Sequence, residues 1–295
     1  MKLGIIGGSG LGQLPGLENT VEQDIETPFG KPSAPILDAK LGDAELFFLA
    51  RHGKGHSIMP SEVNFKANIA AMKMLGATHI LSISAVGSLR EEIRPRDVVI
   101  PDQYFDRTKR PGSDHTFFGG GVVGHIAFGH PVCPELSHLA AQAAGEAIRA
   151  SDASERKVFN SGTYVNMEGP AFSTKAESEF YRSTGAAVIG MTNLAEAKLA
   201  REAEICYATV AMVTDYDCWH PDHDHVTVEM VVGHFHANIK LAQEIIRLVT
   251  RRAQAGLTRK CACPHALAGA ILTDPAVIPA ETKRKLQPIM GKYLK

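Results

Sequence analysis

Residues 205–217 read ICYATVAMVTDYD. A strand with one wet face alternates apolar and polar side chains. CYATVAMV instead runs almost without polar interruption, the mark of a strand covered on both faces, as in the sheet of an α/β protein. Two acids two residues apart, Asp215 and Asp217, close the run. Positions two apart on a strand face the same side, so both carboxylates are expected to meet one flat ligand edge. A helix-capping turn is the plainer alternative for aspartate at such a place.

The neighbouring stretches extend the pattern in both directions. NLAEAKLAREAE (193–204) reads as a helix, AAVIGMT (186–192) as a strand, and STKAESEFYRSTG (173–185) as an amphipathic helix closed by Gly185 and capped by Ser173. KVFNSGTYVNMEG (157–169) is β-like, and ELSHLAAQAAGEAIRA (135–150) is strongly helical. Towards the start lie four strands: LGIIGG (3–8), AELFFLA (44–50), HILSISAVGS (79–88) and DVVIPDQ (97–103). A helix is expected over 61–75, a long loop over 106–130 and a long helix over about 226–253. Alternating strands and helices predict an α/β fold with a largely parallel or mixed sheet under helices. Residues 1–255 read as one domain. Residues 256–295, punctuated by proline and ending in ETKRKLQPIMGKYLK, read as a C-terminal extension packed on it.

Hydrophobic residues make up 44% and charged ones 21%, and the formal net charge is −1, which leaves no global basic field for nucleic acid. Five cysteines, Cys133, Cys206, Cys218, Cys261 and Cys263, are too few and too odd in number for a secreted disulfide scaffold. MKLGIIGGSG breaks into glycine too early for a signal peptide or a membrane span. A cytoplasmic protein without membrane attachment is expected.

Several strand ends carry chemistry. GGSG (7–10) can curl so that amides and the Ser9 hydroxyl converge on an anion, or be an ordinary turn. It lacks the full dinucleotide and P-loop spacings. RHGKGH (51–56) offers the Arg51 fork and His52 and His56 as donors to the same phosphate, or is a solvated basic loop. Ser84 and Ala85 in SAVGS, and Met191 and Thr192 in GMTN, finish other strands and fit either packing or ligand contact. In NMEGPAFS, Glu168, Gly169 and Pro170 suggest a fixed turn with Phe172 beside it, able to stack on a base or to be core. HPDHDH (220–225) lacks the helical spacing of a catalytic zinc motif, and Cys261-Ala-Cys263 reads as two free thiols, so no metal is expected.

Taken in order, GGSGL, RHGKGH with PSEVNFKANI, SAVGSLREEI, DQYFDRT, MEGPAFSTKAES, MTNLAEAKLAREAEICYA and TDYDCW resemble the 5′-methylthioadenosine phosphorylases, in the trimeric branch of the purine nucleoside phosphorylase superfamily. The resemblance covers about residues 1–250. It implies a three-layer α/β/α domain with a mixed central sheet, a homotrimer, and attack of inorganic phosphate on the nucleoside to give adenine and 5-methylthioribose 1-phosphate, a step of purine and methionine salvage, with no cofactor. It implies phosphate contacts from Ser9, Arg51, His52, Ser84, Ala85 and Thr192. Met191 would lie under the ribose, Phe172 beside the base, and Asp215 and Asp217 on its edge; the negative charge that builds on a departing base further suggests that Asp215 is protonated or shares a proton with N7. His56 matches a histidine near phosphate and ribose. His125 matches one reaching a neighbouring subunit's 5′ pocket, and Ser173 and Val228 match positions linked to substrate choice. Ser9 and Ser84 stand where the family often has threonine, which keeps the hydroxyl. A 6-oxopurine phosphorylase of the same fold, a non-catalytic nucleoside- or phosphate-binding protein and a metal-dependent hydrolase are the alternatives. The first needs a donor for O6, where this chain has two acids.

Overall fold

The computed structural model describes residues 1–109, 111–151, 155–221 and 228–294, with the side chains of the helix at 228–256 described from residue 238 onward. Among these residues, eleven strands form one mixed sheet. At its centre β1 (Lys2–Gly7), β4 (Ala44–Ala50), β5 (His79–Ser88) and β11 (Cys206–Asp215) run parallel. An antiparallel pair, β2 (Glu18–Gln23) and β3 (Ile36–Leu41), extends the β4 side. On the other side β10 (Val188–Gly190) meets β5 antiparallel, followed by β9 (Thr163–Met167) and β7 (Gln103–Arg107). β6 (Val98–Val99) and β8 (Val158–Phe159) continue from β11.

β5 decides where a ligand can enter. One of its edges follows β11 from His79 to Gly87. Its other edge pairs with β1 only over His79–Ser82 and with β10 only over Gly87–Ser88. Between them, residues 83–86 have no strand partner on that side, so the sheet divides there. Such a division outside the carboxyl ends of parallel strands is where open α/β sheets form a crevice.

Side-chain alternation sorts the two faces as the apolar runs predict. Leu3, Ile5, Leu81, Ile83, Cys206, Ala208, Val210 and Met212 pack with α2 (Pro134–Ala150) and α5 (Val228–Gly256). Ile6, Phe47, Leu49, Ile80 and Tyr207 pack on the opposite face with α1 (Phe65–Met74), α4 (Asn193–Glu202) and α6 (Ala280–Met290). This is the three-layer α/β/α arrangement with a mixed central sheet. The C-terminal residues are built into the second layer: Leu267, Ile278, Leu286, Ile289, Met290 and Leu294 are buried against α1 and its neighbours. Buried Glu204 anchors them, accepting from Tyr293 Oη at 2.6 Å and pairing with Lys292 at 2.5 Å.

Some boundaries differ from expectation, each for a local reason. α1 begins at Phe65 because Pro60–Glu62 form a separate 3-10 turn and Asn64 caps the helix, its Oδ1 accepting from Ala67 N at 3.1 Å. DVVIPDQ splits at Pro101 into β6 and the start of β7, which pair with different strands. α3 (Lys175–Ser183) is capped by Thr174 in a reciprocal box with Glu177, and not by Ser173. No described helix is long and apolar enough to cross a membrane.

Candidate active site

The ends of β1, β4, β5, β10 and β11 supply the site residues. Gly7 lies against β5: a Cβ there would sit 2.5 Å from Leu11 Cδ1 and 3.1 Å from the Ile83 carbonyl. The glycine is required for close approach, and the loop closes as a 3-10 turn over Ser9–Gln13 with Ser9 exposed. A cavity of about 230 Å³ opens beside it, lined by Gly8, Ser9, Gln13, Glu22, Ala50 and Lys54 among others. A larger one of about 300 Å³, lined by Ala147, Arg156, Lys240 and Glu244, belongs to α2 and α5 and includes none of the strand-end residues.

Arg51 is held in a buried ion pair. It is 3% exposed, and its guanidinium turns inward. Nε donates to Glu196 Oε1 at 2.5 Å, Nη1 to the Ile83 carbonyl at 3.1 Å, and Nη2 to Ser82 Oγ at 2.6 Å and Glu196 Oε2 at 3.2 Å. Its backbone N–H is bound to the Gly7 carbonyl at 2.9 Å. Burial opposes the charge on Arg51, but the Glu196 carboxylate outweighs it and raises the pKa. Glu196 is fully buried and needs a cation, and most of the Arg51 fork is engaged with it and its neighbours.

Around this pair lies a polar network on the α4 face. Asn193 Nδ2 donates to Ser82 Oγ, Tyr207 Oη and Thr209 Oγ1 at 2.8, 2.9 and 3.0 Å, and Tyr207 Oη donates to Glu196 Oε2 at 2.9 Å. The network ties β4, β5, β11 and α4 together beneath the crevice. Sequence reasoning missed Glu196, Asn193 and Tyr207. The signal was the period-two placement of Ser82 and Ser84, and of Tyr207 and Thr209, within otherwise apolar strands.

His52 is partly buried, and its pKa falls to about 4, first through burial and then through the charge of Arg51. Its Nδ1 is 2.9 Å from the Ile58 carbonyl, which can only accept, so Nδ1 carries the proton and Nε2 is bare. Neutral His52 therefore offers an acceptor at Nε2, and a donor there only when protonated. His56 stacks on it at 4.5 Å between ring centroids. Ser84 and Thr192 are 6% and 4% exposed, with half-buried Ala85 and Met191 beside them in sequence. Thr192 precedes α4 without using its side chain as a cap, at a helix end that favours anions. Tyr164 is fully buried next to Ser84 and the Thr192 backbone, yet its Oη makes no hydrogen bond of full geometry.

At the other end of the crevice Gly87 stands opposite Asp215. A Cβ on Gly87 would lie 2.8 Å from Asp215 Oδ1, so only glycine leaves the carboxylate its place. Asp215 Oδ1 accepts from Asp217 N–H at 2.8 Å and Oδ2 from Thr214 Oγ1 at 2.7 Å. Asp217 is 4% exposed, adopts φ 53°, and has an Oδ2 with no partner. Burial first, and the neighbouring Asp215 charge next among the raising influences, push its pKa up to about 6, against the Ser178 and Ser173 hydroxyls beside it. Trp219 pins this turn, donating Nε1–H to the Ser88 carbonyl at 2.8 Å under the Arg182 guanidinium, which lies 3.5 Å from the ring centre.

Phe172 is exposed after the Gly169–Pro170 turn, and Met191 packs on Gly169. Ser173, near Asp217, accepts from Cys218 Sγ through its carbonyl at 3.3 Å. His125 is exposed, its backbone N–H bound to the Ala270 carbonyl at 2.9 Å. The side chain of Val228 and residues His223 and His225 lie outside the described residues.

The two ends of the crevice are joined by β5: Ser84 and Gly87 are three residues apart, or about 10 Å of strand. That is room for a sugar between an anion at Ser84 and a flat heterocycle at Asp215. A sheet divided in this way, with hydroxyls at one end and buried acids at the other, has the dimensions and chemistry of a nucleoside site next to an oxyanion site. The model of the phosphorylase superfamily matches residues 2–251, and the chain belongs to that superfamily. It is 57% identical over 293 residues to the S-methyl-5′-thioadenosine phosphorylase of Gloeobacter violaceus, covering 99% of this chain and 96% of that one. The crystal structure of a methylthioadenosine phosphorylase from an antarctic soil metagenomic library superposes with a TM-score of 0.91 at 44% identity, covering 98% of each chain. The methylthioadenosine phosphorylase of Schistosoma mansoni in complex with adenine gives 0.83 at 36% identity, covering 92% of this chain and 99% of that one.

Proposed function

We infer that the chain catalyses phosphorolysis of 5′-methylthioadenosine, giving adenine and 5-methylthioribose 1-phosphate. Full-length relatives at 51–57% identity carry this activity in their names. The observation in the molecule that supports it best is the unpartnered carboxylate oxygen of Asp217 beside Asp215, two acids at the base end of a divided sheet.

Breaking the glycosidic bond builds positive charge on the sugar and negative charge on the departing base. Hydrogen phosphate is the nucleophile and, as a dianion, stabilises the first. In this reading it is held by the hydroxyls of Ser9, Ser84 and Thr192 and the backbone at Ala85, and its P–OH donates a hydrogen bond to His52 Nε2, with His56 at the ribose side. Arg51 contributes through its charge and by fixing the β4 loop, more than through a forked contact. Met191 underlies the ribose and Phe172 covers the base.

The base edge needs one donor for N7 and one acceptor for the N6 amino group. Two adjacent carboxylates sharing one proton supply both. Of the two, Asp217 is the one whose pKa burial pushes up to about 6 and that has an unpaired oxygen, so it is the acid that takes up the proton as the base binds. As the base leaves, the shared proton passes to N7, and the remaining charge on the pair grips N6–H and N7–H. Those contacts strengthen in the transition state, which is what raises the rate.

Ser173, beside Asp217, and Val228 tune substrate choice. No organic cofactor takes part; phosphate is a co-substrate. The assembly is a homotrimer in which exposed His125 reaches a neighbouring 5′ pocket, and the protein works in the cytoplasm. A panel of methylthioadenosine, adenosine, inosine and guanosine, each with and without phosphate, tests the reaction. Free adenine released from methylthioadenosine only with phosphate supports it. Release without phosphate, or preference for inosine, contradicts it. Light scattering in solution tests the trimer.

A further inference from the structure

The end of the sheet opposite the active site holds four cysteines that the reaction does not use. Cys133 precedes α2, and its N–H donates to the Tyr207 carbonyl at 2.8 Å. Cys206 opens β11, while Cys261 and Cys263 come from the C-terminal segment. Their four sulfur atoms lie within 4.8 Å of one another, and Cys133, Cys206 and Cys263 are buried. The Cys206 and Cys261 sulfurs are 3.5 Å apart, so they are not bonded. Cys206 and Asp215 are the two ends of one ten-residue strand, roughly 30 Å apart.

We propose that Cys133, Cys206, Cys261 and Cys263 form a structural site for one thiophilic divalent cation, zinc in the first place. A tetrahedral zinc with four thiolates at about 2.3 Å holds its sulfurs about 3.8 Å apart. The observed spread brackets that value, so contraction by less than about 1 Å closes the site. Binding is acid–base and not redox: Zn²⁺ replaces four thiol protons, which go to solvent, leaving a tetrathiolate complex of charge 2−. Two features offset that charge. Cys133 stands at the N-terminus of the 17-residue α2, and Arg201 lies close enough to Cys263 to act on it electrostatically. The site would staple the C-terminal segment, already tied by Arg259 to the Glu204 carbonyl at 2.8 Å, to β11 and α2. The expectation of two free thiols in Cys261-Ala-Cys263 came from reading the pair alone, whereas Cys133 and Cys206 are distant in the chain and meet the pair only in the fold.

The test uses the full chain purified under reducing conditions without chelator. Elemental analysis should find about one zinc per chain, and cobalt in its place should show the thiolate charge-transfer and tetrahedral d–d bands of a sulfur-rich site. The Cys261→Ser/Cys263→Ser double variant should lose the metal, melt several degrees lower, and keep its kcat. If that variant does not fold, the wild type answers alone: stripping the metal with a mercurial and chelator should lower Tm, and adding zinc should restore it. Reduced protein that carries no zinc and whose Tm zinc does not raise overturns the proposal. So does a mass showing the four cysteines paired as disulfides in protein that never binds metal. None of these readings depends on the nucleoside reaction.

Discussion

Replacing Asp217 with asparagine should cost activity and gain stability, and both effects follow from one oxygen atom. Asp217 Oδ2 is buried without a partner, and its pKa rises from 3.8 to about 6. A carboxyl group whose folded pKa lies above its unfolded value favours folding most when protonated. That advantage is full below about pH 4 and is lost as pH rises to about 6, so the ionised form is a net cost above it. A shift of about two units corresponds to roughly 3 kcal/mol. The asparagine side chain is neutral at every pH and nearly the same shape, so Asp217→Asn should raise Tm at pH 8 by several degrees and leave it little changed at pH 4. The same change removes the shared proton and sets an amide against the N6 amino group. Loss of general-acid action alone lowers kcat by about 10²-fold or more. Phosphate-dependent adenine release and thermal melts at both pH values measure the two effects. Full activity, or a lower Tm at pH 8, would refute the reasoning.

Asp215→Asn should likewise lower kcat about 10²-fold or more, since the two acids work as one unit, and undiminished turnover would refute its role. Glu196→Gln leaves buried Arg51 without its counter-charge and should destabilise the protein by about 3–5 kcal/mol in urea unfolding. Gly87→Ala drives a methyl against Asp215 Oδ1 and Ile189, so kcat should fall sharply for a stability loss of only about 1–3 kcal/mol. Burial pushes the pKa of Glu202 from 4.5 up to about 7, where its carboxylate holds Thr116 Oγ1 at 2.6 Å. Folding should therefore lose stability as pH rises from about 4.5 to 7, by on the order of 3 kcal/mol, and Glu202→Gln should flatten that slope.

The strands that carry the fold announce themselves through largely apolar runs: HILSISAVGS spans β5 and CYATVAMVTD spans β11. The strand-end residues were marked by where those runs stop. What the chain could not disclose were meetings between distant positions. Nothing near Arg51 hints that Glu196 lies against it, so the buried ion pair is visible only in the fold. The tautomer of His52 is set by the Ile58 carbonyl, which only the fold of the loop brings to it. The four cysteines come from three separate segments. The division of the sheet at residues 83–86, which makes the crevice, follows from the order of strands and not from any one of them.

A crystal grown with adenine and sulfate tests the central claim most directly. The account predicts the N6/N7 edge of adenine on the carboxylates of Asp215 and Asp217, and sulfate about 10 Å away along β5 among Ser9, Ser84 and Thr192. Adenine bound elsewhere, or sulfate seated away from those hydroxyls, would contradict it.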